Sequence, residues 1–183
     1  MAASSPSTTL YTLGKGVVSI AAWTGTTPPV TLDDVGNCPR FDVEVTEETL
    51  DHYSSRSGTR VKDKQVVIET GYALNFDLDE FSVANLAMFL KGTISGAQNH
   101  IISANTVLDK EYAVSFVSDN PAGPNETWEF HRCKLSPGGN MSLISDEWAL
   151  MTFSGEGLSD SVNNASSPYF TVTFATTTTT TTV

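Results

Sequence analysis

The sequence predicts a mainly β protein, a two-sheet sandwich or open barrel with one flanking α-helix. Several short segments alternate apolar and polar residues with the period of a strand, Gly, Pro and Asn separate them, and one segment has the apolar period of a helix. With 183 residues, 39% of them apolar, the chain can bury one sizeable core. We expect a single domain at residues 10–174, between a flexible N-terminal arm at 1–9 and a Thr-rich C-terminal tail at 175–183.

The first strands are indicated by their alternation. Residues 16–23 predict a strand that ends at the Gly- and Pro-containing turn 25–29. The segment 41–46 is the clearest strand, because one face of it is apolar and the other is acidic or polar. The apolar face holds Phe41, Val43 and Val45, and the other face holds Asp42, Glu44 and Thr46.

A polar segment interrupts this pattern at residues 51–64. It has almost no apolar content and is too long for a tight hairpin turn, so we expect a protruding loop. Residues 65–80 then predict a long bent strand or a strand pair. Leu74, Phe76 and Leu78 alternate there with Asn75, Asp77 and Asp79.

One helix is predicted at residues 81–92. Ser82 is a suitable N-cap, and Lys91 and Gly92 suit a helix C-terminus. The apolar stripe expected to face the core contains Val83, Leu86, Ala87 and Leu90.

The second half of the chain predicts four more strands. They lie near residues 111–118, 127–135, 147–154 and 169–174, with turn residues between them.

The charge balance argues against a nucleic-acid-binding protein. Ten Lys and Arg stand against 21 Asp and Glu, a formal net charge of −11, so contact with phosphates should be repulsive. The apolar run at 17–23 is too short for a membrane span and lacks the flanks of a signal peptide, so we expect a chain made in the cytosol and no membrane contact.

No catalytic, cofactor or metal site is predicted. Cys38 and Cys133 are the two cysteines, too few for a disulfide framework, although one bridge between them stays open. His131 and Cys133 share a strand face and could offer two metal ligands, with Cys38 or His100 completing a site, but nothing in the sequence brings these together. Since no nucleophile, base or carboxylate couple is positioned either, we expect a protein that is not an enzyme and binds no cofactor.

Basic residues are concentrated in the polar segment. Arg56, Arg60, Lys62 and Lys64 place four of the ten basic residues within nine positions, while acidic residues crowd the strands on either side. They can be incidental charge on a solvated loop, or the basic loop of one subunit can meet the acidic surface of the next in a head-to-tail stack.

The order of several pieces of the chain resembles the tail tube proteins, or major tail proteins, of tailed bacteriophages. These pieces cover residues 10–92 and follow one another as LGKGVVSI at 13–20, the strand at 41–45, ETLDHYSSRSG at 48–58 leading to Val61, Lys62 and Asp63, and NFDLDEFSVANLAMFLKG at 75–92. The second half matches only in being β-rich.

The resemblance implies a two-sheet β fold with a flanking helix, six copies of which form a ring with a continuous inner β-barrel. Stacked rings form a tube that conducts DNA from the capsid to the host. The segment 51–64 matches the loop that reaches the adjacent ring in that family. The implied inter-ring contacts are His52, Tyr53, Ser54, Ser55, Arg56, Ser57, Gly58, Arg60, Lys62 and Lys64.

The resemblance also implies partners and a location. The chain would assemble with itself and meet a tail terminator, baseplate or tail-tip proteins, a tape measure protein and, in contractile tails, a sheath. It would be part of the virion tail and would be assembled in the host cytoplasm. DNA would pass through the tube without specific binding.

The alternation of the strands then predicts which residues line the channel. If the apolar residues face the core, the opposite face carries Asp42, Glu44, Asn75 and Asp77, with Glu69 joining them. In a closed ring, rings of negative charge would repel DNA and keep it mobile. The alternative that these acids face bulk solvent outside the tube stays open.

Two other functions remain open from the sequence. One is the tube protein of a related secretion or contractile-injection apparatus, which would share the fold and carry a different cargo. The other is a secreted β-sandwich binding module, which the Thr-rich tail and the N-x-S/T triplets at Asn125, Asn140 and Asn164 would suit.

Overall fold

The computed structural model of the protein describes residues 6–56, 58–96 and 101–175. The arm predicted at 1–9 therefore lies partly, and the Thr-rich tail at 175–183 almost wholly, outside the described residues. Within them the chain forms ten strands, one α-helix and a short 3-10 turn at Thr8–Leu10. The bounds are β1 Gly16–Ala22, β2 Asp33–Asp34, β3 Arg40–Ser54, β4 Val61–Leu78, α1 Val83–Phe89, β5 Thr93–Ser95, β6 Ile101–Ser103, β7 Tyr112–Ser118, β8 Glu126–Pro137, β9 Met151–Gly157 and β10 Phe170–Phe174.

Eight strands form one antiparallel sheet in the order β2-β1-β7-β8-β9-β4-β3, with β10 added beside β8, while β5 and β6 form a separate two-stranded sheet. The 12-residue strand β8 has two partners on one edge, β10 beside its first half and β9 beside its second half. The mainly β class with two sheets and one helix is confirmed. The described strands do not close a barrel, and formation of a ring stays a prediction.

The core lies on one face of the large sheet and is rich in aromatic rings. On β4, Leu74, Phe76 and Leu78 alternate inward as predicted from their period of two, and Tyr72 extends the pattern by one further residue. The Phe76 ring stacks on Phe153 of β9 with 4.9 Å between centroids, and Phe41 of β3 stacks on Phe116 of β7 at 5.6 Å. These contacts connect strands far apart in sequence into one core cluster.

Gly157, at the end of β9, is required by the ring of Tyr72. A Cβ atom at this position would lie 2.3 Å from the Tyr72 ring. The Tyr72 hydroxyl donates a hydrogen bond of 2.8 Å to the carbonyl of Arg132, which prevents the ring from moving away. A side chain at residue 157 would therefore displace a buried, hydrogen-bonded tyrosine.

Helix α1 begins where the sequence predicts. Ser82 is its N-cap, and the Ser82 hydroxyl accepts a hydrogen bond of 3.1 Å from the backbone N–H of Asn85. The buried amide of Asn85 also donates to the carbonyls of Val35 at 2.8 Å and Glu80 at 3.0 Å. The helix is thereby fastened to the segment that follows β2.

The predicted apolar stripe of the helix is partly wrong. Ala87 is buried as expected, but Leu86 is only half-buried, and Phe89, which was outside the predicted stripe, is buried. The seven-residue helix lies at the end of the sheet, where the Phe89 ring packs edge-on against Phe153 with 5.5 Å between centroids. Leu86 packs against the same core cluster but keeps part of its surface exposed.

The end of the helix also differs from the prediction. Lys91, and not Gly92, adopts the left-handed conformation, with φ of 48°. The backbone N–H of Gly92 donates to the carbonyl of Ala87, and that of Lys91 to the carbonyl of Met88, which is the Schellman pattern. Gly92 is needed for a different reason, because a Cβ there would lie 2.7 Å from a methyl carbon of Ile102.

The loop predicted at 51–64 is wrong in its conformation. β3 continues to Ser54 and β4 begins at Val61, so both flanks of this segment are strands, and the turn is confined to residues 55–60. Backbone hydrogen bonds between two strands need no apolar side chains, which is why composition alone gave no sign of this hairpin.

One strand boundary and three short strands also differ from the prediction. The strand expected at 147–154 begins only at Met151, because residues 147–150 belong to an exposed loop. The strands β2, β5 and β6 were not predicted, since segments of two or three residues are too short to show a period.

Candidate functional site

The feature that stands apart from the folded body is a long two-stranded ribbon. β4 pairs with β9 only from Ala73 to Leu78, whereas its pairing with β3 continues to Val61. From about residue 46 to residue 71 the two strands have no other described strand beside them, and both faces are largely exposed. We call residues 46–71 the ribbon and residues 55–60 the tip of the ribbon.

Two bulges on β4 divide the ribbon. The register shifts between Glu48 and Thr49 and again between His52 and Tyr53, so that Ile68 and Asp63 are skipped in the residue-by-residue pairing with β3. Because directly paired residues share a face, the register assigns each side chain to one of two faces. The first face continues the solvent side of the sheet, and the second continues its core side.

Both faces of the ribbon expose apolar side chains. Leu50 and Val66 lie directly opposite each other on the first face, and Val61 lies further toward the tip. Val67 lies on the second face, and Val45 lies on the same face just before the ribbon begins. Val45 therefore shares the face of Phe41 and Val43 as predicted, but it is 69% exposed and is not part of the core. At Val45 the strand reaches the edge of the folded body, where the described residues leave its inner face uncovered.

The predicted inter-ring residues lie in the tip of the ribbon or directly beside it. His52, Tyr53 and Ser54 end β3, Lys62 and Lys64 begin β4, and Ser55, Arg56, Gly58 and Arg60 lie in or beside the turn; Ser57 lies outside the described residues. The structure thus brings these residues together at one end of the ribbon. Whether they contact another subunit stays a prediction.

Some of the polar and charged side chains in and beside the tip contact neighbouring residues of the ribbon. Lys62 Nζ lies 2.7 Å from Asp51 Oδ1, and His52 Nδ1 lies 2.6 Å from Asp63 Oδ1. The Arg60 guanidinium lies over the Tyr53 ring at 5.1 Å from its centroid. In the part of the chain that the structure describes, Arg56 and Lys64 have no ion-pair partner, so their charges are available to a partner surface.

The five residues predicted to line a channel all lie on the first face. The register pairs Asp42 with Asn75, Arg40 with Asp77, and Glu48 with Glu69, and Glu44 alternates with Asp42 along β3. The same face of β9 adds Thr152, Ser154 and Glu156, so the first face is largely polar where it covers the folded body, whereas its ribbon part also exposes Leu50 and Val66. Whether it lines a channel stays a prediction.

Asp77 differs from the other four because its charge is neutralised. Arg40 Nε lies 2.7 Å from Asp77 Oδ2, and the Asp77 side chain is only 12% exposed. Burial opposes ionisation of this carboxyl, but hydrogen bonds from Arg40 and Thr152 together with the charge of Arg40 outweigh it and lower its pKa. Asp77 therefore positions β3 against β4 and presents no free charge.

The two cysteines are buried or half-buried free thiols. Burial raises the pKa of Cys133 to about 12 and that of Cys38 to about 11. Both are therefore protonated at neutral pH and poor nucleophiles or ligands. Among residues 6–56, 58–96 and 101–175, no three His, Cys, Asp or Glu side chains converge on a point that could hold a metal ion, and His100 lies outside these ranges.

Sequence reasoning missed a second exposed apolar feature. Residues 141–150 belong to the connection between β8 and β9, and the side chains of Leu143, Ile144 and Trp148 are 81%, 96% and 94% exposed. The signal was present, because these large apolar residues stand in a stretch that lacks a regular strand or helix period.

No helix within the described residues is long and apolar enough to cross a membrane.

Comparison with known proteins gives one family and a weak structural likeness. No curated protein matches the chain. Among solved structures, the cryo-EM structure of the anti-feeding prophage cap, described as the AFP tube terminating cap, has 11% sequence identity over 90% of this chain and 93% of that chain. Its TM-score is 0.36, and no conclusion is drawn from it.

A family model matches most of the chain in two overlapping parts, residues 11–109 and residues 95–173. These parts include the ribbon, helix α1 and the strands of the large sheet. The chain therefore belongs to the family described as "Protein of unknown function UCP028589".

Proposed function

We propose that the chain is a self-assembling structural subunit of a phage tail tube, in which rings of six copies stack into a hollow tube that conducts DNA to the host. The observation that carries the proposal is the exposed ribbon. A two-stranded hairpin with no third strand or covering helix is at best marginally stable in water. The ribbon also exposes apolar side chains on both faces. A partner surface would supply the burial that the subunit alone does not.

A second copy of the chain is the partner that the charges favour. The tip of the ribbon is basic. The base of the ribbon, where it leaves the folded body, is acidic and contains Glu47, Glu48 and Glu69. A subunit with positive charge at one end and negative charge at the other is electrostatically complementary to a second copy when the copies stack head to tail.

The open edges of the sheet favour lateral contacts as well. The outer edge of β3 has no partner in the described structure over its 15 residues. An unpaired edge of this length is a site for pairing with another chain, and closure into a ring removes it. The resemblance of residues 10–92 to tail tube proteins supports the same arrangement.

In this proposal the polar first face of β3 and β4 lines the channel. Asp42, Glu44 and Glu69 would repel the DNA backbone and Asn75 would add an uncharged polar group, so the DNA would slide without binding. A density map of the assembled tube tests this part alone. An outer-wall position for Asp42 and Glu44, or a basic lumen, would leave the tube intact and overturn the conduit.

The proposed subunit is not an enzyme and needs no cofactor. Its partners would be further copies of itself, the tail terminator, baseplate or tail-tip proteins, the tape measure protein and, in a contractile tail, a sheath. It would reside in the virion tail after assembly in the host cytoplasm. A tube of a secretion or contractile-injection apparatus is the alternative within the same structural class, and the neighbouring genes distinguish it.

The first experiment is to examine the purified chain by negative-stain microscopy and sedimentation velocity over a range of concentrations. Rings or tubes are expected. A monomer at every concentration would overturn the proposal and favour the secreted binding module instead.

A matched variant makes the test specific for the ribbon. Val45 and Tyr72 are directly paired, so residues 46–71 can be replaced by an Asn-Gly turn that joins these two strands. The shortened chain keeps the core and should still unfold cooperatively, but it should no longer form tubes. Normal tubes from a folded ribbonless chain would show that the ribbon has no part in assembly.

A further inference from the structure

The loop at residues 141–150 has the character of a binding surface. Three of its large apolar side chains, Leu143, Ile144 and Trp148, are more than four-fifths exposed. Three large apolar side chains exposed within six residues favour an interaction site, and tryptophan is one of the residues enriched at the centres of protein interfaces. The Ser145 hydroxyl accepts from the N–H of Glu147 at 3.2 Å and donates to its carbonyl at 2.8 Å, so the loop has a defined shape.

The topology places this loop and the ribbon tip at opposite ends of one strand. Met151, which follows the loop, pairs with Leu78 at the last residue of β4, and the tip precedes Val61 at the first residue of the same strand. Over the 18 residues of β4 the separation is roughly 55 Å at ~3.3 Å per residue. Copies stacked along the strand direction therefore bring the tip of one copy to the loop end of the next.

The chemistry of the two ends is complementary. Arg56 in the tip and Lys64 beside it on β4 have no ion-pair partners among the described residues, and Val61 and Tyr53 are exposed next to them. The loop carries Asp146 and Glu147 beside Trp148, and Asp79 and Glu80 directly follow the strand end that pairs with Met151. The tip end thus combines exposed apolar side chains with basic ones, and the loop end combines exposed apolar side chains with acidic ones.

We infer that the ribbon tip of one copy docks on the loop 141–150 of the next copy, with Trp148 at the centre of the contact. The inference rests on the proposed tube function and names the receptor surface for the ribbon. The contact joins two different surfaces, so it does not close on itself and continues from one copy to the next along the axis.

The first test removes the apolar centre of the contact. Trp148→Ala should raise the concentration needed for tube formation about tenfold or more, the scale of an interface hot spot. Because Trp148 is 94% exposed, the urea unfolding midpoint should not change. Val162→Ala is the matched control, since Val162 is 91% exposed in a different loop and should leave assembly unchanged.

The second test reverses the charges and then restores complementarity. Arg56→Glu with Lys64→Glu should abolish long tubes, and adding Asp146→Lys with Glu147→Lys in the same chain should recover them. Recovery is the readout that a merely structural role for these residues would not produce. The unfolding midpoint of each variant verifies that the subunit is folded.

The outcomes separate this inference from the proposed function. Wild-type tubes together with normal tubes from Trp148→Ala, or no recovery in the fourfold charge variant, would overturn the docking site and leave the tube function standing. A wild-type chain that never assembles would overturn both.

Discussion

Glu48 and Glu69 lie directly opposite each other across the β3 and β4 ladder, at the residue pair just before the first bulge. Two carboxylates in this position repel, and like charges directly opposite on a sheet are destabilising. The repulsion lies at the base of the ribbon, where the strands lose contact with the folded body.

The first prediction concerns this pair. Glu69→Gln should increase the free energy of unfolding by about 0.2–1 kcal/mol at low salt, because it removes a like-charge contact. The gain should shrink as salt screens the charges. Urea unfolding at two ionic strengths measures it. Glu44→Gln is the control, since Glu44 lies opposite Ala73, and an equal gain there would show that the Glu48 contact is not the cause.

The second prediction separates the two apolar residues of helix α1. Phe89→Ala should cost about 3–5 kcal/mol of stability, because it leaves a cavity beside the buried Phe153 ring. Leu86→Ala should cost less than about 2 kcal/mol, because Leu86 is only half-buried. Thermal and urea unfolding measure the loss of stability in each variant. A larger loss for Leu86→Ala than for Phe89→Ala would contradict the burial of Phe89 beside Phe153.

The third prediction tests the contact between Gly157 and Tyr72. Gly157→Ala should destabilise the fold by about 1–3 kcal/mol, since the added methyl group would overlap the Tyr72 ring. Gly139→Ala is the matched control, because the nearest atom to a Cβ there is 3.9 Å away. Equal urea midpoints for the two variants would contradict the close packing of the Tyr72 ring against Gly157.

The fourth prediction is a pH dependence at Asp77. Its pKa is lowered in the folded state, so the stability it contributes is fully present above the ordinary aspartate pKa of about 3.9 and is lost as the pH falls through the lowered value. Asp77→Asn should therefore be less stable than the wild type at pH 7, and the difference should narrow below about pH 4. Urea midpoints between pH 7 and pH 3 measure this.

Asp42→Asn provides the comparison for Asp77. Asp42 is also near Arg40, at 3.7 Å, but both side chains are about half exposed or more. An exposed ion pair contributes about 0–1 kcal/mol, so this variant should stay close to the wild type at every pH. A pH-independent deficit in Asp77→Asn would show that lost packing, and not the charge of Asp77, is responsible.

The sequence by itself determined what depends on near neighbours in the chain. The strand period at Leu74 and Phe76, the N-cap at Ser82 and the shared face of Asp42 and Glu44 all follow from backbone geometry over a few residues. The mainly β class and the single helix were therefore predictable, and so was the cluster of basic residues near the tip.

The tertiary structure alone decided what depends on residues distant in sequence. The polar segment became a paired ribbon because β3 and β4 continue to exchange backbone hydrogen bonds, which side-chain composition does not report. Arg40 removed the free charge of Asp77, Phe89 entered the core while Leu86 stayed at its margin, and the edge of the body left Val45 exposed. Each outcome was set by which strands lie side by side, and a local period contains no information about that choice.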